Sequence, residues 1–172
     1  MNPMAKETIL VLDEESHVQW TLKTFLEKEK YNVIPVSTIR MAVQNFLEFE
    51  VSGLITEYRI QQSCTLEAIG ELKKRFPEAY VMILTYYDVE ENEYGKIMDA
   101  GIDDFFLEPL SSEKILLHLR KGLKRRSLSI QKKRFEEELA KINTKWILRN
   151  AQKNRNVRRL KGGKRNGIEQ LF

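Results

Sequence analysis

Between residues 8 and 125, short runs of apolar residues alternate with longer stretches in which apolar residues return every three or four positions. The runs are Thr8 to Leu12, Tyr31 to Val36, Val51 to Thr56, Tyr80 to Leu84 and Phe105 to Leu107. A segment without polar alternation suits a strand covered on both faces, as in a parallel sheet. The stretches between carry Val18, Leu22, Phe25 and Leu26, then Ile39, Val43, Phe46 and Leu47, then Leu66, Ile69, Leu72 and Phe76. Tyr94, Ile97 and Met98 follow, and finally Ile115, Leu116, Leu119 and Leu123. That spacing predicts five amphipathic helices. Ser16, Ser37 and Ser111 stand where N-caps belong, Pro77 stops the third helix, and Gly101 sits where a C-cap glycine belongs. Strand and helix alternating five times predict an α/β domain, (βα)₅, over residues 6–125, with right-handed crossovers and helices on both faces of a parallel sheet.

The helical pattern does not stop at Leu123. Leu128, Phe135, Leu139, Ile142 and Trp146 keep a 3-4 spacing, with Lys132 at the one polar seam position. This predicts a helical extension over 126–149, either a short coiled coil or a solvated helix folding back on the domain. From Asn150 the period dissolves into QKNRNVRRLKGGKRNG. Few apolar residues and dense positive charge predict a basic, disordered tail over 150–172.

Charge changes this picture more than composition does. Residues 1–119 hold 11 Lys/Arg and 21 Asp/Glu, whereas residues 120–172 hold 18 and 4. An acidic domain thus carries a basic extension, and each implies different partners. The ten Lys/Arg and no Asp/Glu between Lys141 and Arg165 suit a nucleic acid, an anionic surface or the acidic domain itself, or mark only a solvated terminus. Trp146 alone offers a ring for base stacking there. The single cysteine, Cys64, leaves no internal disulfide, fits a cytoplasmic location, and reads as a small buried or half-buried residue. His17, expected to face water, and the distant His118 make a zinc site of the usual kind improbable. No run is long and apolar enough for a membrane span.

Candidate chemistry lies at the strand ends. In an open parallel sheet, ligands bind outside the carboxyl ends of the strands, where strand order reverses. Asp13 and Glu14 follow the first run, Glu57 the third and Glu108 the fifth. The expectation is therefore an acidic pocket of Asp13, Glu14, Glu57 and Glu108, without a lysine. Crowded carboxylates disfavour simultaneous ionisation, so one holds a proton, or a hard divalent cation sits among them, or Glu108 turns to solvent. Asp103 and Asp104 read as loop solvation.

The motifs ILVLDEE, ILTYYD and AGIDDFFLEPLSSEKILLHLRKGLKRR, in this order and at these intervals, resemble the receiver domain of two-component response regulators over positions 8–125. The resemblance implies a flavodoxin-like, doubly wound sheet of strand order 2-1-3-4-5, partnered by a histidine kinase or another signalling protein. It implies Asp13 and Glu14 as the positions that hold Mg²⁺, and Glu57 as the phospho-acceptor position. Thr85 is the position that bonds phosphoryl oxygens, and Phe105 the switch aromatic. Pro109 is the proline whose preceding peptide is usually cis. Two positions depart from the family. Glutamate replaces aspartate at 57, and glutamate replaces lysine at 108.

Glu57 is one methylene too long, and Glu108 puts an anion where phosphate would need a cation. The reading is a non-enzymatic, receiver-like module acting by protein–protein contact, dimeric through residues 111–148. The rivals are a receiver still switched by phosphate or a divalent cation, a head in which Glu57 imitates phosphoaspartate, and a nucleic-acid-binding adaptor. A hydrolase of similar topology fits least, because Asp13 lacks a second aspartate two residues on. Tyr86 either closes the pocket or packs on the surface.

Overall fold

A computed structural model describes residues 6–163 of the protein. The strands are β1 (Thr8–Leu12), β2 (Asn32–Val36), β3 (Gly53–Thr56), β4 (Arg59–Ile60), β5 (Ser63–Cys64), β6 (Tyr80–Thr85) and β7 (Asp104–Leu107). The helices are α1 (Ser16–Lys28), α2 (Ile39–Glu48), α3 (Leu66–Arg75), α4 (Glu91–Asp99) and α5 (Ser112–Gly163). Five strands form one parallel sheet in the order β2-β1-β3-β6-β7. With the small β4–β5 hairpin set aside, this is the expected order 2-1-3-4-5. Pro35 is tolerated because β2 lies at the sheet edge, where a missing N–H costs no ladder bond on the open side.

The pleat sorts each apolar run between two cores. Leu10, Leu12, Leu54, Val81 and Ile83 face one side, packed with Ala42 and Phe46 of α2, Ile69 and Leu72 of α3, and Ile97 of α4. Ile9, Val11, Ile55, Met82 and Leu84 face the other, packed with Leu22 and Leu26 of α1 and Ile115, Leu119 and Leu123 of α5. Burying one such side chain stabilises by roughly 1.5–3 kcal/mol, against about 1 kcal/mol for a helix cap. The core therefore decides the fold, and the caps may shift without consequence. Two do shift. Glu15, not Ser16, occupies the N-cap of α1, without a side-chain bond. Thr38, not Ser37, caps α2, its hydroxyl accepting from the Met41 N–H at 3.2 Å. Ser111 caps α5 as expected, accepting from the Lys114 N–H at 3.4 Å. Gly101 ends α4 at φ 75°, a left-handed conformation that favours glycine.

The β4–β5 hairpin interrupts what the sequence presents as a plain loop. Gln61 and Gln62 form its tip at φ 51° and 62°. Two positive-φ residues give the turn hand that matches strand twist, usually supplied by Asn-Gly. The fully buried Ile60 anchors the hairpin.

Residues up to Ser129 form one compact unit, and those from Ile130 a second. The helix α5 has no break at 125/126 or at 149/150, where the sequence pattern suggested boundaries. Residues 150–163 are helical, where loss of the apolar period suggested disorder. The remainder of the expected tail, 164–172, lies outside the described residues. Among the described residues, no helix is long and apolar enough to cross a membrane.

Candidate functional site

The parallel register carries the acids to one edge of the sheet. Each ladder runs one residue past its strand: the Asp13 N–H donates to Val36 O (3.1 Å), Glu57 N–H to Leu12 O (3.1 Å) and Glu108 N–H to Thr85 O (2.7 Å). Their side chains are thereby fixed at adjacent strand ends, as expected for this sheet type. Asp13, Glu57 and Glu108, with Thr56 and six apolar side chains, line one cavity of about 10 Å³, and among the described residues no lysine or arginine lines it with them. That is room for about one water.

Burial pushes the Glu57 carboxyl above the usual glutamate range, opposed by hydrogen bonds from the Thr85 hydroxyl and the Tyr58 and Arg59 N–H groups, with the Asp13 charge raising it further. Burial likewise raises Asp13, opposed by the Glu15 N–H and reinforced by the charges of Glu15, Glu108 and Glu14. Glu14, the fourth acid expected there, adds its charge to Asp13 without lining the cavity. Glu14 is exposed, and its Oε2 accepts the Gln61 N–H at the hairpin tip (3.1 Å). Asp13 Oδ1 accepts the Glu15 N–H (2.8 Å). Among the described residues, no three His, Cys, Asp or Glu side chains form a metal-holding group. A backbone N–H occupies one oxygen of each of Asp13 and Glu14, and hard cations such as Mg²⁺ take carboxylate oxygens of this kind.

Thr85 is fully buried, and its Oγ1 accepts the Tyr87 N–H at 3.1 Å. Phe105 is half-buried and meets the Tyr58 ring edge-on, centroids 6.0 Å apart at 84°. Tyr58, unnoticed in the sequence, links these parts. Its N–H donates to Glu57 Oε1, and its hydroxyl donates to Glu93 Oε1 on α4 (3.0 Å). Burial, then its hydrogen bonds with Cys64 and Glu93, raise its phenol well above the ordinary tyrosine value. The neighbouring cation, Arg59, is spent on aromatic faces, its guanidinium lying 5.8 Å from the Tyr58 ring and 5.5 Å from that of Tyr87. The Glu108–Pro109 peptide is cis. Tyr86 stays 69% exposed, and the Glu108 carboxylate beside its phenol raises that group. His17 faces water beside Glu15, as expected, whereas Cys64 is exposed rather than buried.

Asp103 and Asp104 correct the expectation of loop solvation. At the opposite edge of the sheet, Asp103 Oδ2 accepts from Lys73 Nζ (3.1 Å) and from the Val81 N–H (2.9 Å). Asp104 accepts the Tyr80 hydroxyl (2.6 Å) and lies 3.1 Å from His118 Nδ1. Only partners far away in sequence give these acids their role.

The comparisons with known proteins agree with this geometry. The family model for the response regulator receiver domain matches residues 9–120. The hydrogenase transcriptional regulatory protein HoxA of Cupriavidus necator is 25% identical over 146 residues, 85% of this chain and 30% of its own. A cyclic di-GMP phosphodiesterase of Thermotoga maritima is 23% identical over 134 residues, 78% of this chain and 36% of its own. The chain thus spans about a third of the length of these curated relatives. Among solved structures, a CheY-like receiver domain protein from Methanospirillum hungatei superposes with a TM-score of 0.69 at 17% identity, covering 73% of this chain and 99% of that one. The beryllofluoride-activated NtrC4 receiver domain dimer gives 0.64 at 22%, covering 69% and 98%. Sheet order, the acids at the strand ends and the match over residues 9–120 meet in one conclusion: the chain belongs to the response regulator receiver domain family.

Proposed function

We propose that this chain is a receiver-type signalling module that takes up no phosphoryl group and acts in the cytoplasm by protein–protein contact, without catalysis of its own. The observation that carries this is the cavity at the acceptor position, about 10 Å³, lined by Asp13, Glu57 and Glu108 and by no cationic side chain. Phosphoryl transfer depends on a placed nucleophile and on positive groups that absorb developing charge. A misplacement of about 1 Å costs on the order of a hundredfold, and loss of one electrostatic stabiliser another hundred- to thousandfold. Glu108 goes further than a loss, because it reverses the charge.

Protein contact is supported by Tyr87, Tyr94, Met98 and Leu107, large apolar side chains left exposed around α4 and β7. Partners of this kind are a histidine kinase or another signalling protein, and a second copy of the chain. Self-association through residues 111–148 is supported by the exposed Phe135, Leu139, Ile142 and Trp146 of α5. The cations from Lys141 to Arg165 support a second reading, in which this segment also binds nucleic acid or an anionic surface.

The test is a rescue. The double variant Glu57→Asp/Glu108→Lys, incubated with acetyl phosphate and Mg²⁺, should gain one phosphoryl group by intact mass, lost again at alkaline pH. Each single variant should gain much less. Equal labelling of either single variant and the double would show that geometry and charge are not jointly responsible.

A further inference from the structure

The second unit, from Ile130, leaves Phe135, Leu139, Ile142 and Trp146 exposed on one helix. Their spacing is four, three, four, which reads the same in either direction along the helix. Such a stripe can meet a second copy of itself head-to-tail with every apolar layer filled. Phe135 then faces the partner's Trp146, and Leu139 faces the partner's Ile142. A side-by-side parallel pair fills the same layers with like against like, so the apolar stripe alone does not choose between orientations.

The flanking charges do choose. With Leu139 and Trp146 at a positions and Phe135 and Ile142 at d, Glu138 and Lys145 both fall at g. In an antiparallel pair, g lies beside the partner's g, so Glu138 meets the partner's Lys145, and symmetry repeats the contact. In a parallel pair, g lies beside the partner's following e position. Glu138 then meets the partner's Asn143, and Lys145 the partner's Asn150, so neither charge finds its opposite. Lys132 and Arg149, which bound the stripe, repel in both arrangements and do not discriminate. Lys132 has a partner on its own helix in Glu136 at 3.8 Å, and among the described residues Glu138 forms no ion pair.

We infer that the helix from Ile130 onward pairs antiparallel with a second copy of the chain, through Phe135, Leu139, Ile142 and Trp146 and two symmetric Glu138–Lys145 contacts. This rests on the self-association proposed above and adds its direction. A consequence is that the two receiver domains attach at opposite ends of the paired segment.

The test uses the full chain with Cys64→Ser and a spin label at Gln152→Cys. In an antiparallel pair the two labels lie about 35 Å apart along the axis, from a rise of about 1.5 Å per residue. In a parallel pair they lie within about 15 Å, the helices being about 8–10 Å apart. A distance near the longer value is the expected result. The shorter value overturns the antiparallel assignment while leaving self-association standing. No dipolar coupling, with a monomer in sedimentation at tens of micromolar, overturns both. Independently, Glu138→Lys and Lys145→Glu should each weaken the dimer roughly fivefold, the scale of exposed ion pairs. The two changes combined should restore it. A double variant as weak as the singles contradicts the pairing.

Discussion

The two edges of the sheet use the same residue type to opposite effect. At the amino edge, Asp103 and Asp104 each hold two partners, among them Lys73, His118, the Tyr80 hydroxyl and the Val81 N–H. At the carboxyl edge, Asp13, Glu57 and Glu108 crowd one small cavity that no cation lines. The first edge uses carboxylates to close the structure. The second gathers carboxylates at the strand ends, where sheets of this type bind ligands. The difference shows that an acid's meaning lies in its partners, which are set by topology rather than by neighbours in sequence.

The largest effect is expected at Asp103. Asp103→Ala should cost about 2–4 kcal/mol, because in a partly buried site it leaves the Val81 N–H without its acceptor and the Lys73 ammonium with the Ala79 carbonyl but no counter-charge. Urea unfolding measures it, and a loss under about 0.5 kcal/mol would make this edge ordinary solvated surface. Second is Gly122, on the same side of the molecule. A Cβ there would fall 2.1 Å from the ring of the buried Tyr80. Gly122→Ala should lose about 1–3 kcal/mol to overpacking and regain up to about 1 from helix propensity, leaving a net loss in thermal unfolding.

The smallest effect belongs to the acidic edge. The carboxyls of Glu57 and Asp13 are raised above their ordinary values, so the folded state binds more protons than the unfolded chain. Their contribution to stability is therefore full below the unfolded values, near 4, and is lost as pH rises through the folded ones. Glu57→Gln should stabilise at neutral pH by at most about 1 kcal/mol, since solvent screens a half-exposed group. The gain should vanish toward pH 4. A variant that destabilises at neutral pH, and less so toward pH 4, would show that Glu57 is held favourably as an anion.

Much of this was legible in the chain. The five apolar runs gave the sheet, because a strand buried on both faces needs no alternation to be seen. The strand-end acids were legible because parallel topology puts every run's carboxyl end on one edge, and the cis peptide before Pro109 because the family resemblance implied it. What escaped was long-range or locally disguised. The β4–β5 hairpin turns on Gln61 and Gln62, which carry no Gly or Asn signal. Glu14 accepts an N–H from the tip of that unexpected hairpin, a contact with no local signal. Tyr58 drew no notice, since its bond to Glu93 and its contact with Phe105 exist only once α4 and β7 are in place. Helix continued past Asn150 without an apolar period, which a sequence pattern cannot register.

On the function proposed above, the acidic edge receives no phosphoryl group. The unaltered chain should be incubated with acetyl phosphate and Mg²⁺ and its intact mass followed, with the Glu57→Asp/Glu108→Lys variant as the positive control. The expected result is an unchanged mass for the natural sequence under conditions that label the variant. An added phosphoryl group on the natural sequence, labile at alkaline pH and absent after Glu57→Gln, would contradict the claim.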